Sequence, residues 1–327
     1  MSAAQTSLST LILGLVMASA FQPAVTHADQ SGKTPRIGVL AMEGTPWEEG
    51  LRDGLRDLGY VDGRNILIDR RFVSLQTDEE QRFLVTDLAR SKVDVIVVFS
   101  TPAARAALER TSVPVVFSVG DPIGAGFAES LARPGGNGTG VSSLSTELDA
   151  KRLELLRLVV PRARRIGYLT NSANPIAQRQ LAMAQKAARE LGVQLISMDA
   201  RDGTQLEAVL GAIPRNAPDA VLVNGDVLFL LNKAKVAHAI YKARLPAMFA
   251  YREYHDDGAL MSYGIDLKQM AHDMAGYVDK ILKGAKPAEL PIQQISQYSL
   301  AVDLRIARDL NIAIPSEILA RADNVIR

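Results

Sequence analysis

The chain of 327 residues carries 37 Lys and Arg against 36 Asp and Glu, a formal net charge of +1, with 47% apolar and 22% charged residues. At about 150 residues per domain this length implies two domains or one large α/β unit, and the composition excludes disordered, collagenous and low-complexity architectures. Balanced charge leaves no excess to hold a polyanion, so nucleic acid is not an expected partner. The lack of cysteine excludes disulfides, thiolate metal sites, Cys nucleophiles and a lipid-modified cysteine.

Residues 1–28 contain no Lys, Arg, Asp or Glu, and their uncharged run from Leu8 to Phe21 is too short to span a bilayer comfortably. Pro23 and then Val25-Thr26-His27-Ala28 follow, with small residues three and one before a cut ahead of Asp29. This pattern reads as a secretory signal peptide and predicts export, with a mature protein that is not membrane-embedded.

From Arg36 onward short β-branched runs alternate with amphipathic stretches. Ile37 to Leu40 is predicted as a strand, and Pro46 to Leu58 as a helix with Trp47, Leu51, Leu55 and Leu58 on one face. Asp94 to Phe99 and Val113 to Val119 are continuous apolar runs, the pattern of strands covered on both faces in a parallel sheet. Ala125 to Ala132 reads as helical, the glycine-rich Arg133 to Gly140 as a crossover between lobes, and Val141-Ser-Ser as strand-like. A phosphate-cradling loop needs a strand before the glycines and a helix after, and here that order is reversed.

At Arg165 the alternation restarts. Ile166 to Thr170 is a strand, Pro175 to Leu191 a helix and Val193 to Met198 a strand, followed by strands at Ala220 to Val223 and Ala247 to Tyr251. Arg36-Ile-Gly-Val-Leu40 is answered by Arg165-Ile-Gly-Tyr-Leu169. The implied architecture is α/β, with two similar doubly wound parallel-sheet lobes.

A polar residue followed by proline recurs just past the predicted strands, at Thr45-Pro46, Thr101-Pro102, Asp121-Pro122 and Asn174-Pro175. Each reads as a helix start, and Thr45 with Glu48 as a capping box. In parallel sheets such starts lie at the carboxyl edge, where open α/β folds bind ligands and where helix N-termini offer N–H groups to an anion. No nucleophile elbow, Walker loop or zinc-protease motif is present, and His238, His255 and His272 have no metal-ligand spacing. His255-Asp256-Asp257 before Gly258 reads as a polar turn rather than a cation site. No catalysis, metal or cofactor is expected.

The order of segments resembles the substrate-binding proteins of ABC transporters, in the type I periplasmic-binding fold, within the subfamily that includes tryptophan-binding proteins. The segments are Gly54-Leu-Arg-Asp-Leu-Gly-Tyr-Val-Asp-Gly-Arg-Asn65, Val93 to Val98 with Thr101-Pro-Ala-Ala104, Gly120-Asp-Pro122 and Ser130 to Asn137. They continue through Lys151 to Leu156, Asn171 with Asn174-Pro175, Leu260 to Gly264, Tyr277 to Gly284 and Leu319 to Asp323. The resemblance implies a three-crossover hinge between lobes at 33–139 plus 265–290 and 140–264 plus 291–327, after the 1–28 signal. It implies a small-molecule ligand, an amino acid or related carboxylate, trapped by hinge closure and delivered to a membrane permease in the periplasm. By the same resemblance Ser100 and Thr101 match strand-end hydroxyls that hold a carboxylate and Asp121 an acidic strand end, with Asn171, Asp226 and Tyr251 across the cleft. A secreted sensor of the same fold, or a periplasmic enzyme using the same cleft, are the alternatives. Trp47, the only tryptophan, is expected near the crevice, either packing its helix or facing ligand.

Overall fold

The computed structural model describes residues 33–43, 45–73, 77–143 and 145–327. The expected signal segment lies outside the described residues. In the first lobe β1 (Arg36–Ala41), α1 (Pro46–Asp57), β2 (Leu67–Phe72), α2 (Asp78–Arg90), β3 (Val95–Val98), α3 (Thr101–Arg110), β4 (Val115–Val119) and β5 (Gly138–Ser142) follow one another. The second lobe holds α4 (Ser145–Val159), β6 (Arg165–Thr170), α5 (Ala177–Glu190), β7 (Gln194–Asp199), α6 (Gly203–Asn216), β8 (Ala220–Val223), α7 (Val227–Leu231), α8 (Lys233–Lys242), β9 (Ala247–Phe249) and β10 (Met261–Gly264). The chain then returns to the first lobe for α9 (Leu267–Leu282) and β11 (Gln293–Gln294). It ends in the second with β12 (Ser299–Asp303), α10 (Leu304–Asp309), α11 (Ser316–Arg321) and β13 (Asn324–Ile326).

The first sheet has the order β11-β5-β4-β3-β1-β2 and the second β13-β12-β10-β9-β8-β6-β7. The first sheet is parallel throughout, and the second is parallel except where β12 runs against β10. Each lobe reverses its strand order beside its first strand, β1 in one and β6 in the other, which opens a crevice at the carboxyl ends there. The chain passes between the sheets three times, after β5, after β10 and after β11.

The sequence echo has a structural counterpart at those two strands. Arg36 N donates to Asp94 Oδ2 at 2.7 Å while Asp94 N donates to Arg36 O at 2.6 Å. Arg165 N donates to Asp219 Oδ2 at 2.8 Å while Asp219 N donates to Arg165 O at 2.7 Å. Both aspartates stand just before the third strand of their lobe, so the same reciprocal pair sets the register at both switch points. Gly38 and Gly167 sit at matching places, where a Cβ would press within 3.1 Å of Leu88 and 3.0 Å of Met198.

Apolar burial follows the sequence pattern: every residue of β3, β4 and β8 is buried. At about 1.5–3 kcal/mol for each fully buried large aliphatic side chain, these central strands supply much of the drive for folding. Edge strand β2 instead carries Asp69, Arg70 and Arg71, which pair with Arg36, with Glu48 and Asp62, and with Asp87.

Three local expectations are corrected. Ala125 to Ala132 forms turns, not a helix, because Asp121 Oδ1 accepts from Gly124 N at 2.8 Å, Phe127 N returns to Pro122 O at 2.8 Å, and Gly126 takes φ +76°. The glycine-rich run is not the crossover. It leads into β5 of the first sheet, where Gly140 at φ +141° passes so close to β4 that a Cβ would stand 2.1 Å from Phe117 O. With β5 and β11 both in the first sheet, that sheet extends past the expected seams at 139/140 and 290/291. The Thr45–Glu48 capping box is not formed: Thr45 Oγ1 donates to Met42 O at 2.8 Å, and Glu48 is taken by the charged Arg70 at 2.7 Å. A guanidinium partner outcompetes a neutral backbone N–H.

Helices α1 and α9 approach closely across two glycines of α1. A Cβ on Gly50 would lie 2.1 Å from Lys268 O, and one on Gly54 2.4 Å from His272 O. Because both obstacles are backbone, Gly54→Ala should lower unfolding free energy by about 1–3 kcal/mol. Gly211→Ala in α6, where nothing lies within 4 Å, should raise it by about 0.5–1 kcal/mol. Urea midpoints at unchanged slope test the contrast.

Candidate functional site

The loops after the strands at both switch points face one cleft. From the first lobe come Trp47, Phe99, Ser100, Thr101 and Gly120, and from the second Asn171, Asn174, Gly225, Asp226 and Tyr251. Ile265, Leu267 and Met270 line its base where the chain crosses back into α9.

Of the six residues expected from the sequence, Ser100, Thr101, Asn171, Asp226 and Tyr251 line this cleft and Asp121 does not. Ser100, not Thr101, is the N-cap of α3: its Oγ accepts from Ala103 N at 3.2 Å, which leaves its O–H free to donate. Thr101 is the first residue of that helix and is buried. Tyr251 donates its hydroxyl to Gly225 O at 3.2 Å, and burial pushes its phenol well above the ordinary range.

Asp226 is the centre of the second-lobe wall, with 5% of its surface exposed. Asn171 Nδ2 donates to Oδ1 at 3.0 Å, Asn174 Nδ2 to Oδ2 at 2.7 Å, and Leu228 N to Oδ1 at 2.9 Å, which also caps α7. Asn171 therefore holds Asp226, its own oxygen being occupied by Ala173 N at 3.0 Å. Asn174 Oδ1 accepts from Ile176 N at 3.2 Å, and α5 begins at Ala177 rather than at Pro175 because both asparagines are turned to this task. Every donor to Asp226 is neutral, and among the described residues no Lys, Arg or His pairs with it. Burial consequently raises its carboxyl above the ordinary value of 3.8, against the pull of Asn174, Asn171 and Leu228.

Asp121 has a different position. Its Oδ2 lies 3.2 Å from Arg179 Nη1, a residue of α5, so the pair joins the two lobes outside the cavity wall. The Gly124 turn that replaced the expected helix aims the carboxylate there. His255 is likewise structural, with Nδ1 at 3.1 Å from Ala259 O and Nε2 at 2.9 Å from Ser262 Oγ, while Asp257 pairs with Lys233.

Sequence reasoning missed Gln81, Phe99 and Met270 in the cleft lining. Phe99 was read only as the end of an apolar strand, yet it stacks on Trp47 with centroids 5.4 Å apart and planes 5° from parallel. Trp47 thus both packs its helix and faces the cleft.

Residues 45–326 match the family described as ABC transporter substrate binding protein. A tyrosine-binding protein of Clostridioides difficile (strain R20291) is 25% identical over 281 residues, covering 84% of this chain and 80% of the relative. Among solved structures, a conserved domain protein from Vibrio cholerae is 28% identical at TM-score 0.84, and an ABC domain from Streptococcus pneumonia in complex with L-Trp is 25% identical at TM-score 0.82. Each covers 90% of this chain and is itself covered completely. The chain belongs to the ABC transporter substrate-binding protein family, and its two lobes have the type I periplasmic-binding fold. Among the described residues no helix is long and apolar enough to cross a membrane.

Because Arg179 is 59% exposed on its side chain, the Asp121 pair is worth at most about 1 kcal/mol. Arg179→Ala should therefore weaken binding of a cleft ligand about two- to fivefold and enlarge the ligand-free radius of gyration. Calorimetry and small-angle scattering on the same samples test both effects.

Proposed function

We propose that this chain is the periplasmic solute-binding component of an ABC importer, and that it captures an amino acid between its lobes and presents it to a membrane permease. The observation that carries this reading is Asp226, a buried carboxylate supplied with neutral donors only. A charge placed in a dry cleft without a counter-charge is costly, and a ligand ammonium relieves that cost on binding. The opposite lobe offers what a carboxylate needs: the Ser100 hydroxyl, the Thr101 side chain and the N-terminal turn of the ten-residue α3. The apolar lining of Phe99, Ile265, Leu267 and Met270 suits an aromatic or aliphatic side chain, in keeping with the tyrosine and tryptophan named for the relatives. Export through residues 1–28 is part of the same reading.

Replacing Asp226 with Asn should cost about 2–5 kcal/mol in affinity for the preferred amino acid, the scale of a truncated buried charge pair. The melting temperature of the ligand-free variant should stay within a few degrees of wild type. Calorimetric titration measures the first and circular dichroism the second; unchanged affinity would rule out the ammonium role.

The pH dependence has a defined sign. An ammonium favours ionised Asp226, so binding expels a proton wherever the free protein still holds one. Affinity should be flat near neutrality and fall as pH drops, beginning above 3.8 because burial raises that carboxyl, and this limb should vanish in Asp226→Asn.

Intact mass of the exported protein tests the leader. Cleavage after Ala28 is expected, and periplasmic protein that retains Met1 through Ala28 would contradict it.

A further inference from the structure

Of four buried first-lobe side-chain atoms without a hydrogen-bond partner among the described residues, Arg105 Nε and Asp121 Oδ2 lie on residues outside the cleft lining, and the other two belong to side chains that line it. These two are Trp47 Nε1 and Gln81 Oε1, on residues only 3% and 2% exposed. Their chemistry is opposite: an indole N–H can only donate and a carboxamide oxygen can only accept. Both are held in place. The Trp47 ring is stacked flat on Phe99, and Gln81 sits in α2, whose first turn is fixed by Thr77 accepting from Glu80 N at 3.2 Å and from Gln81 N at 3.1 Å. Buried donors and acceptors are rarely left unmade, and an orphaned pair in a ligand cleft marks a place where the ligand completes the bonding.

One small group satisfies a donor and an acceptor through a single atom, and that is a hydroxyl. Phe99 is stacked on Trp47, and Ile265, Leu267 and Met270 add apolar surface to the same cleft, which suits an apolar stem leading to that hydroxyl. We infer that Trp47 and Gln81 form a hydroxyl-reading subsite in the first lobe, selecting an amino acid whose apolar side chain ends in a hydroxyl over the same side chain without it. The amino-acid part rests on the function proposed above, whereas the hydroxyl part rests on the two orphaned atoms alone. Sites built to hydrogen-bond a hydroxyl reject the analogue lacking it because their own polar groups are then left unpaired.

Two matched pairs of probes test this by calorimetry on the purified protein: L-tyrosine with L-phenylalanine, and 3-(4-hydroxyphenyl)propionate with 3-phenylpropionate, which lack the ammonium. Wild type should favour the hydroxylated member more than tenfold. Gln81→Leu and Trp47→Phe should each cut that preference at least fivefold by weakening the hydroxylated probe, with the other member held within twofold. Trp47→Phe keeps an aromatic ring on Phe99, and ligand-free melting curves report whether either variant is misfolded; Gln81→Met stands in if Gln81→Leu is. No preference in either pair, or a preference that survives both substitutions, overturns the subsite. A hydroxyl preference with amino acids no tighter than their deaminated counterparts upholds the subsite and overturns the ammonium reading. If none of the four probes binds, both fall.

Discussion

A carboxylate withdrawn from water must find either a cation or enough dipoles to replace its hydration, and Asp226 is given only dipoles. Much of the second lobe is arranged around keeping it there. Asn171 and Asn174 come from the loop after β6 and Leu228 N from the first turn of α7, so two separate segments converge on one side chain. Behind them Asn224, two residues before Asp226, donates to Asp149 Oδ2 at 3.0 Å and to the Tyr168 hydroxyl at 2.7 Å. Asp149 in turn accepts from Tyr168 at 2.6 Å and pairs with Arg152 at 2.7 Å, all of these groups being buried. Breaking such a network at one member leaves the others unpaired in a low-dielectric interior, which ties the Asn224 to Asp226 segment to the core of its lobe.

That network also reaches the hinge. Arg152 Nε donates to Tyr263 O at 2.8 Å, at the end of β10 just before the chain returns to the first lobe. Gly264 follows, where a Cβ would stand 1.9 Å from Ala250 O, so strand β10 presses on the loop that carries Tyr251. The wall of the cleft and the crossover between the lobes are therefore both tied to one buried guanidinium.

Where burial was two-sided the sequence was legible: β1, β3, β4, β6 and β8 emerge at or within two residues of their predicted bounds because continuous β-branched runs have few other uses. Edge strand β2 was not read, since its Asp69, Arg70 and Arg71 are stabilised by partners from α1, α2 and β1 that only the fold supplies. Polar residues before proline were correctly placed at the carboxyl edge by topology, yet their individual roles were not readable. Thr45 precedes α1 as expected but gives its hydroxyl to a nearby carbonyl instead of capping, Asp121 loses its helix start to a glycine turn, and Asn174 goes to a distant carboxylate. Gln81 carried no signal at all, because one amide on an amphipathic helix looks the same whether it faces solvent or a cleft.

On the proposed function, the division of charge between the lobes decides what can close them. The Asp121 and Arg179 contact joins the lobes outside the cleft wall, but an exposed arginine contributes at most about 1 kcal/mol and is screened by salt, too little to hold the lobes together by itself. A zwitterion engaging Asp226 on one side and the Ser100 and Thr101 turn on the other makes both charged contacts only when the lobes are together. Its affinity for the closed form then exceeds that for the open form by the value of one desolvated charge pair, about 2–5 kcal/mol. A ligand with one charged end makes the same contact in either form and gains little from closure. Under that proposal the surface pair biases the equilibrium, whereas the buried carboxylate makes closure conditional on the chemistry of what is caught.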